Sequence, residues 1–567
     1  MKSVILHIPI LAVSIILLSC SQVKTVQQIF MESDDAVSVE KNPDGRTAFK
    51  AYLNSLIFSA NSGGDKDFLK DVTAIRDEGY VAEERLGTAS LILRNYVVKR
   101  YGESIVKDLQ TMIAFRTYAE DGRDNWDAPE FLRQREWLES KTVELGFDFK
   151  SYDGRMDEIS VPGPGPILAL LTHGDVVNVV EESWTFHPWE SELIDGKIYG
   201  RGSGDDKGGV IVSLYVLKAL KDTGWEFNHT LKLLIANGEE SSWDEIAYYK
   251  ERAPLPDITI GIDASYPVTN SQKGFRLVTV SSEEFGMSEI MGEWNIISIS
   301  GGVANNIIPE RAEAILTGGA DAFAVLGELA LKWEEEHAPA KFILSADGEQ
   351  IKIEAIGKTG HSALPEKGHN ALGDLTAFLA SLDLTPDRWG SLAYFMGDFL
   401  GEDIYGTSLG IAFDDSAMGH LTVNLATVKV TKNSPTATIS LRIPTGITRS
   451  FIDENLKMAV EDVNRVYGSN LMLVITDYGP AHIVPKDTKL VRTLLEVWEE
   501  VTGTPGYTVS ISGGTQARMF PDGVDFGLSK SLEHTLAHGH DEYISVKDLM
   551  EAAELTVSAV LRLTITE

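Results

Sequence analysis

Three short apolar runs constrain the fold of this chain more than any other feature. Residues 167–172, 230–236 and 258–262 are apolar almost throughout, and each leads into a polar, acid-bearing stretch. Such runs read as strands buried on both faces, the signature of a parallel sheet. Residues 208–221, between the first two, read as a helix closed by Gly224. Strands that alternate with helices predict a mostly parallel sheet, with functional groups gathered beyond the carboxyl ends of its strands.

The side chains at those ends are of one kind. The first run leads to His173-Gly174-Asp175, the second to Glu239-Glu240 and the third to Asp263. The helix opens on Asp205-Asp206-Lys207-Gly208, and His538 with Glu542 lies near the end of the chain. Carboxylates and imidazoles suit zinc-like ions, and one shared carboxylate could hold two ions roughly 3.5–4 Å apart. Each motif alone has a plainer reading. His173-x-Asp175 could be a polar pair at a strand end, and Asp205-Asp206 could be acids favoured by a helix dipole. Glu239-Glu240 could be a solvated loop pair and Asp263 a turn residue. Their joint placement at three strand ends and a helix start points instead to one crevice, and to amide hydrolysis by metal-activated water.

Composition narrows the class. At 567 residues the chain exceeds a single ordinary core, so two or more domains are expected. A net charge of −34 argues against a nucleic-acid partner, because phosphate binding needs basic surface. The only cysteine is Cys20, behind Lys2 and an apolar stretch over residues 4–18. This resembles a bacterial lipoprotein signal, with cleavage before Cys20 and lipidation of its thiol. The expectation is a lipid-anchored, periplasm-facing protein of the bacterial envelope that touches membrane through its anchor alone. Ser21 stands where an inner-membrane retention aspartate often does, which favours the outer membrane.

After a leader over residues 1–20, residues 21–101 divide into a polar tether (21–42) and amphipathic helices without evident chemistry. Residues 102–274 read as the first part of a catalytic domain, and 275–479, richer in alternating strands, as an inserted α+β domain. The chain then returns to the first domain over 480–567, where Ser545-Val546-Lys547-Asp548 opens a last helix.

The runs Leu171-Thr172-His173-Gly174-Asp175, Tyr199-Gly200-Arg201-Gly202-Ser203-Gly204-Asp205-Asp206-Lys207-Gly208 and Gly238-Glu239-Glu240-Ser241 together resemble the PepV-like dipeptidases. These belong to the co-catalytic zinc metallopeptidases that include carnosinases, aminoacylases and succinyl-diaminopimelate desuccinylases. The resemblance spans about Gly102 to the carboxyl end. It implies an α/β zinc-peptidase domain with an inserted lid, two Zn²⁺ ions (Co²⁺ or Mn²⁺ as alternatives) and a small peptide substrate. His173, Asp205 and Asp263 are implied as ligands of one ion, and Asp205, Glu240 and His538 of the other, with Asp205 bridging. His538 is preferred to His540 because Glu542 follows it at the family's spacing. Glu239 is implied as general base, Asp175 as the group that orients His173, and a cis peptide at Asp205-Asp206.

In the insertion, Gly360-His361-Ser362 matches a lid histidine that stabilises the oxyanion, and Asn306 and Arg442 match substrate-binding positions. An arginine fork suits a terminal carboxylate. Gly513 and Gly514 match a glycine loop whose backbone approaches the ligand. A lid of this length implies a monomer. Asn237-Gly238 departs from the family pattern before the glutamate pair and could alter the local turn. The alternatives are an N-acyl amino-acid amidase with the same site, and a catalytically silent binding lipoprotein.

Overall fold

Strand Ile167–His173 lies between Thr230–Ala236 and Ile258–Gly261 and runs parallel to both. Its side chains alternate between two cores, as strand geometry requires. Leu168 and Leu170 join a large cluster beneath helices Leu86–Ile113, Lys207–Thr223 and Val546–Ile565. Ala169 and Leu171 face the other way, toward Tyr249 and Phe520. Burial on both faces is why these runs lack polar alternation. The computed structural model describes residues 24–33, 44–119, 125–283, 291–319, 321–530 and 535–565. Cys20 and its leader lie outside them.

Among the described residues the sheet has nine strands, and its centre is parallel. Antiparallel strands extend it: Met156–Val161 and Asp148–Tyr152 on one side, Val268–Gln272 and His482–Ile483 on the other. Helix Lys207–Thr223 is buried over almost its whole length and ends at Gly224, whose φ of 67° a Cβ would strain.

The chain leaves this sheet at Lys273 and returns to it after Pro480. Between them stands an eight-stranded sheet paired antiparallel throughout. Helices Ala371–Ala380, Arg388–Phe399 and Arg449–Tyr467 pack on it around a separate core. This second layer is the lid.

The amino-terminal part differs from a tether followed by independent helices. Residues 26–32 form a helix with a Thr25/Gln28 capping box, docked through Ile29 and Phe30. No break falls at Gly102, because helix Leu86–Ile113 runs straight through it. That helix is fastened to the catalytic layer by buried polar contacts. Tyr96 and Tyr101 both donate to Asp222, Tyr215 donates to Asp108 at 2.5 Å, and Ser90 meets Ser558 at 2.8 Å. The extension is thus part of the catalytic domain's own core.

Candidate metal centre

His173 is the last residue of its strand, Asp205 precedes helix Lys207–Thr223, and Glu239-Glu240 forms the turn after Thr230–Ala236. Asp263 follows Ile258–Gly261, and His538 stands in the loop before Tyr543–Ser545 with φ 63°. These five segments meet at one point. His173 Nε2 lies 3.0 Å from Asp205 Oδ1 and 3.4 Å from Asp263 Oδ1. His538 Nε2 lies 3.2 Å from Asp205 Oδ2 and 2.8 Å from Glu240 Oε1. The two oxygens of Asp205 therefore face two different imidazoles. Side-chain groupings able to hold a cation are His173/Asp206/Asp263, His173/Glu239/Glu240 and Asp205/Glu240/His538. The Asp205–Asp206 peptide is cis.

The electrostatics fit cations. Burial opposes a charged His173, yet Asp263, Asp175 and Asp205 hold its imidazole well above the usual range. Burial likewise opposes a charged His538, but Glu240 and Asp205 push it up to about 12. Burial and Asp263 raise Glu239 far above an ordinary carboxyl, and burial raises Asp263 to about 7 against the pull of His173. The acids gathered in this crevice repel one another, a repulsion that bound cations would relieve.

The surroundings fix this cluster. His173 Nδ1 lies 3.0 Å from the backbone oxygen of Asp175, while the Asp175 carboxylate is 3.6 Å away. That carboxylate instead accepts the backbone N–H of Glu239 at 3.2 Å and of Glu240 at 3.0 Å. Asp175 thus touches the imidazole through its backbone and the glutamate turn through its side chain. Asn237 donates through Nδ2 to Gly154 O and Asp157 Oδ2 at 3.0 and 3.2 Å.

Sequence reasoning gave no catalytic or binding role to four groups that the structure places at the cluster's edge. Buried Glu542 accepts from Gly204 N at 2.9 Å, Asp205 N at 3.2 Å and Arg201 Nη1 at 2.5 Å. Arg201 also donates to His538 O at 3.3 Å and Gly539 O at 3.0 Å, joining the two ligand loops. Lys207, fully buried, donates to Met112 O and Phe115 O. Thr117 donates to Gly174 O at 2.7 Å and accepts Val176 N at 2.8 Å on its own carbonyl. The carboxyl end of helix Leu86–Ile113 and the segment after it therefore brace the loops of His173 and Asp205 from behind. Glu542 and Lys207 stood beside flagged residues; Thr117 carries no motif.

On the lid, Ser362 N donates to Asn306 O at 2.8 Å, which sets Asn306 and His361 side by side. Burial, then Arg442 and His538, lower His361 to about 4, so its imidazole is neutral. Arg442 lies on strand Ser434–Ile443 above the ring of Phe275 at 5.8 Å, and its Nε lacks a partner among the described residues. Gly513 and Gly514 lie between strand Thr508–Ile511 and the turn Gln516–Met519; that turn reaches a small cavity beside Glu239 and Asp263.

A largely parallel sheet that gathers imidazoles and carboxylates at its carboxyl edge, facing an inserted lid, is the arrangement of a metallohydrolase. Residues 169–562 match the model of Peptidase family M20/M25/M40, and the chain belongs to that family. The Beta-Ala-Xaa dipeptidase of Lactobacillus delbrueckii subsp. lactis is 28% identical over 421 residues, covering 74% of this chain and 86% of that one. Human carnosine dipeptidase 1 shares the fold with a TM-score of 0.53 at 14% identity, covering 84% of this chain and 98% of its own. The dipeptidase Dug1p of Saccharomyces cerevisiae aligns with a TM-score of 0.51 at 12% identity over 83% and 98%.

Proposed function

We propose that the protein is a dinuclear zinc dipeptidase. The observation that carries this reading is Asp205, whose oxygens stand 3.0 Å from His173 and 3.2 Å from His538, the placement of a bridging ligand. His173, Asp205 and Asp263 would hold one ion and Asp205, Glu240 and His538 the other. Zinc, or cobalt or manganese in its place, would acidify a water and polarise the scissile carbonyl. Glu239, lining the small cavity beside His173 and Asp263, is placed to carry a proton. It accepts one from the attacking water and delivers it to the departing amine. Neutral His361, facing His538 across the cleft, donates to the developing oxyanion. Arg442 receives the carboxylate of a dipeptide, and Asn306 and the backbone at Gly513 and Gly514 orient its amide.

Metal content and turnover test this reading on panels of dipeptides and N-acyl amino acids, with and without chelator. Two ions per chain and chelator-sensitive dipeptide cleavage are expected. Cleavage of acyl amino acids alone would make the protein an amidase, and bound metal without turnover on either panel would make it a binding protein. His361 lies near enough to His538 of the same chain for their charges to interact, which supports a monomer; sedimentation of a dimer would overturn that. The envelope placement rests on the Cys20 leader, and a Cys20→Ser chain recovered still in the membrane fraction would refute lipid anchoring.

A further inference from the structure

The lid joins the catalytic layer through two crossovers that touch. Gly274 lies against the returning strand so closely that a Cβ there would sit 2.5 Å from Gly479 O and 2.8 Å from Ala481 N. One side chain bridges both crossovers from the catalytic side. Arg518, on the turn Gln516–Met519, donates through Nη1 to Lys273 O at 2.9 Å and through Nη2 to Pro480 O. A planar guanidinium can address two carbonyls in this way, and an ammonium group cannot hold the same fork.

The same crossover is stitched to the glycine loop on both of its flanks. Before the loop, Lys273 N donates to Ile511 O at 3.0 Å. After it, Thr515 N donates to Gln272 Oε1 at 2.9 Å, and Gln272 Nε2 donates to Thr515 Oγ1 at 2.8 Å. Gln272 and Thr515 both end on buried Asp525, at 2.9–3.0 Å, and Asp525 pairs with Gly261 beside the Asp263 strand end. Gly513 and Gly514 therefore cannot shift without moving residues 272–273, and those residues carry the lid. Arg518 also lies close enough to Arg442 to help lower its guanidinium, after burial, to about 10.

We propose that Arg518 is a positioning residue that locks the two crossovers to the glycine loop, so that His361 and Arg442 arrive over the metal centre in register with it. The proposal rests on the dipeptidase reading. It separates Arg518 from the substrate-binding groups, because its hydrogen bonds go to the protein's own backbone.

The experiment uses the full chain as wild type, Arg518→Ala, Arg518→Lys, His361→Ala and the double variant Arg518→Ala/His361→Ala. Arg518→Ala should keep its metal and lose about 100-fold in kcat/KM, the size expected for an ångström-scale misplacement of catalytic groups. Arg518→Lys should recover little of it. In the His361→Ala background the same change should cost distinctly less than about 100-fold, because one of the two groups it places is already gone. Amide hydrogen exchange should rise in peptides covering 272–275 and 479–482 in Arg518→Ala. Losses that multiply in the double variant, full rescue by lysine, or unchanged exchange at the crossovers would each overturn the proposal. If wild type cleaves no dipeptide, the functional reading fails, while exchange alone still decides whether Arg518 clamps the crossovers.

Discussion

Replacing Asp175 with Asn probes the buried carboxylate that holds the glutamate turn. Its two oxygens accept the backbone N–H groups of Glu239 and Glu240 at 3.2 and 3.0 Å, in a site where the residue is 1% exposed. Asn keeps the shape but turns one acceptor into a donor that faces another donor. One charge-assisted hydrogen bond, worth about 1.5–3 kcal/mol, is lost and the other is reduced to a neutral one, about 3 kcal/mol together. Transmitted to Glu239, that amounts to roughly 10²-fold in kcat. Transmitted to Glu240, a candidate ligand, it should weaken metal binding by about 10–100-fold. The assay is kcat at saturating metal together with chelator competition, with near-ultraviolet circular dichroism to show that the fold survives. If kcat and metal affinity both stay within about threefold of wild type, the turn is held by something else and the argument fails. Weakened metal binding with full kcat at saturation would mean that Glu239 finds its place without Asp175.

Other outcomes follow from the same geometry. Glu239→Gln should lower turnover by about 10³-fold while metal content stays normal; substantial residual activity would remove Glu239 as the base. Thr117→Val deprives Gly174 O of its 2.7 Å donor, and should weaken metal binding about tenfold; unchanged binding would show that the segment after helix Leu86–Ile113 does not brace the site. Burial raises Asp157 to about 6, above the roughly 4 of an unfolded chain. The folded state therefore keeps a proton that the unfolded chain releases, and this group's penalty grows as pH rises through that window. Asp157→Asn should raise the melting temperature at about pH 8 and lose that advantage toward about pH 4; a gap constant with pH would contradict this.

The sheet and its cluster were legible because each strand that carries a candidate ligand is a continuous apolar run ending on a chemically distinctive side chain. Burial on both faces writes such runs into sequence, and acids at the ends of several of them are hard to explain otherwise. What escaped notice acts through backbone. The Asp175 carboxylate was expected on His173 and lies 3.6 Å from its Nδ1, but it also accepts two peptide N–H groups 64 and 65 positions away, and no side-chain pattern announces an amide. Thr117 and Arg518 are invisible for the same reason, each meeting carbonyls that any residue could supply. Residues 26–32 read as polar tether because their two anchors, Ile29 and Phe30, form too short an apolar signal. The departure at Asn237 needed the structure to show its side chain tied to Gly154 and Asp157.

The contact between Ser90 and Ser558 joins residues 468 positions apart, within the packing of helix Leu86–Ile113 on Val546–Ile565. Contacts of such separation form late, after the intervening chain has been ordered. The helices synthesised early thus hold an apolar face in waiting until helix Val546–Ile565 arrives to cover it. Only then is the segment from Met112 to Thr117 fixed behind His173 and Asp205. A chain stalled just short of helix Val546–Ile565 would contain every candidate ligand and still lack a settled site, so activity itself reports that this helix has docked.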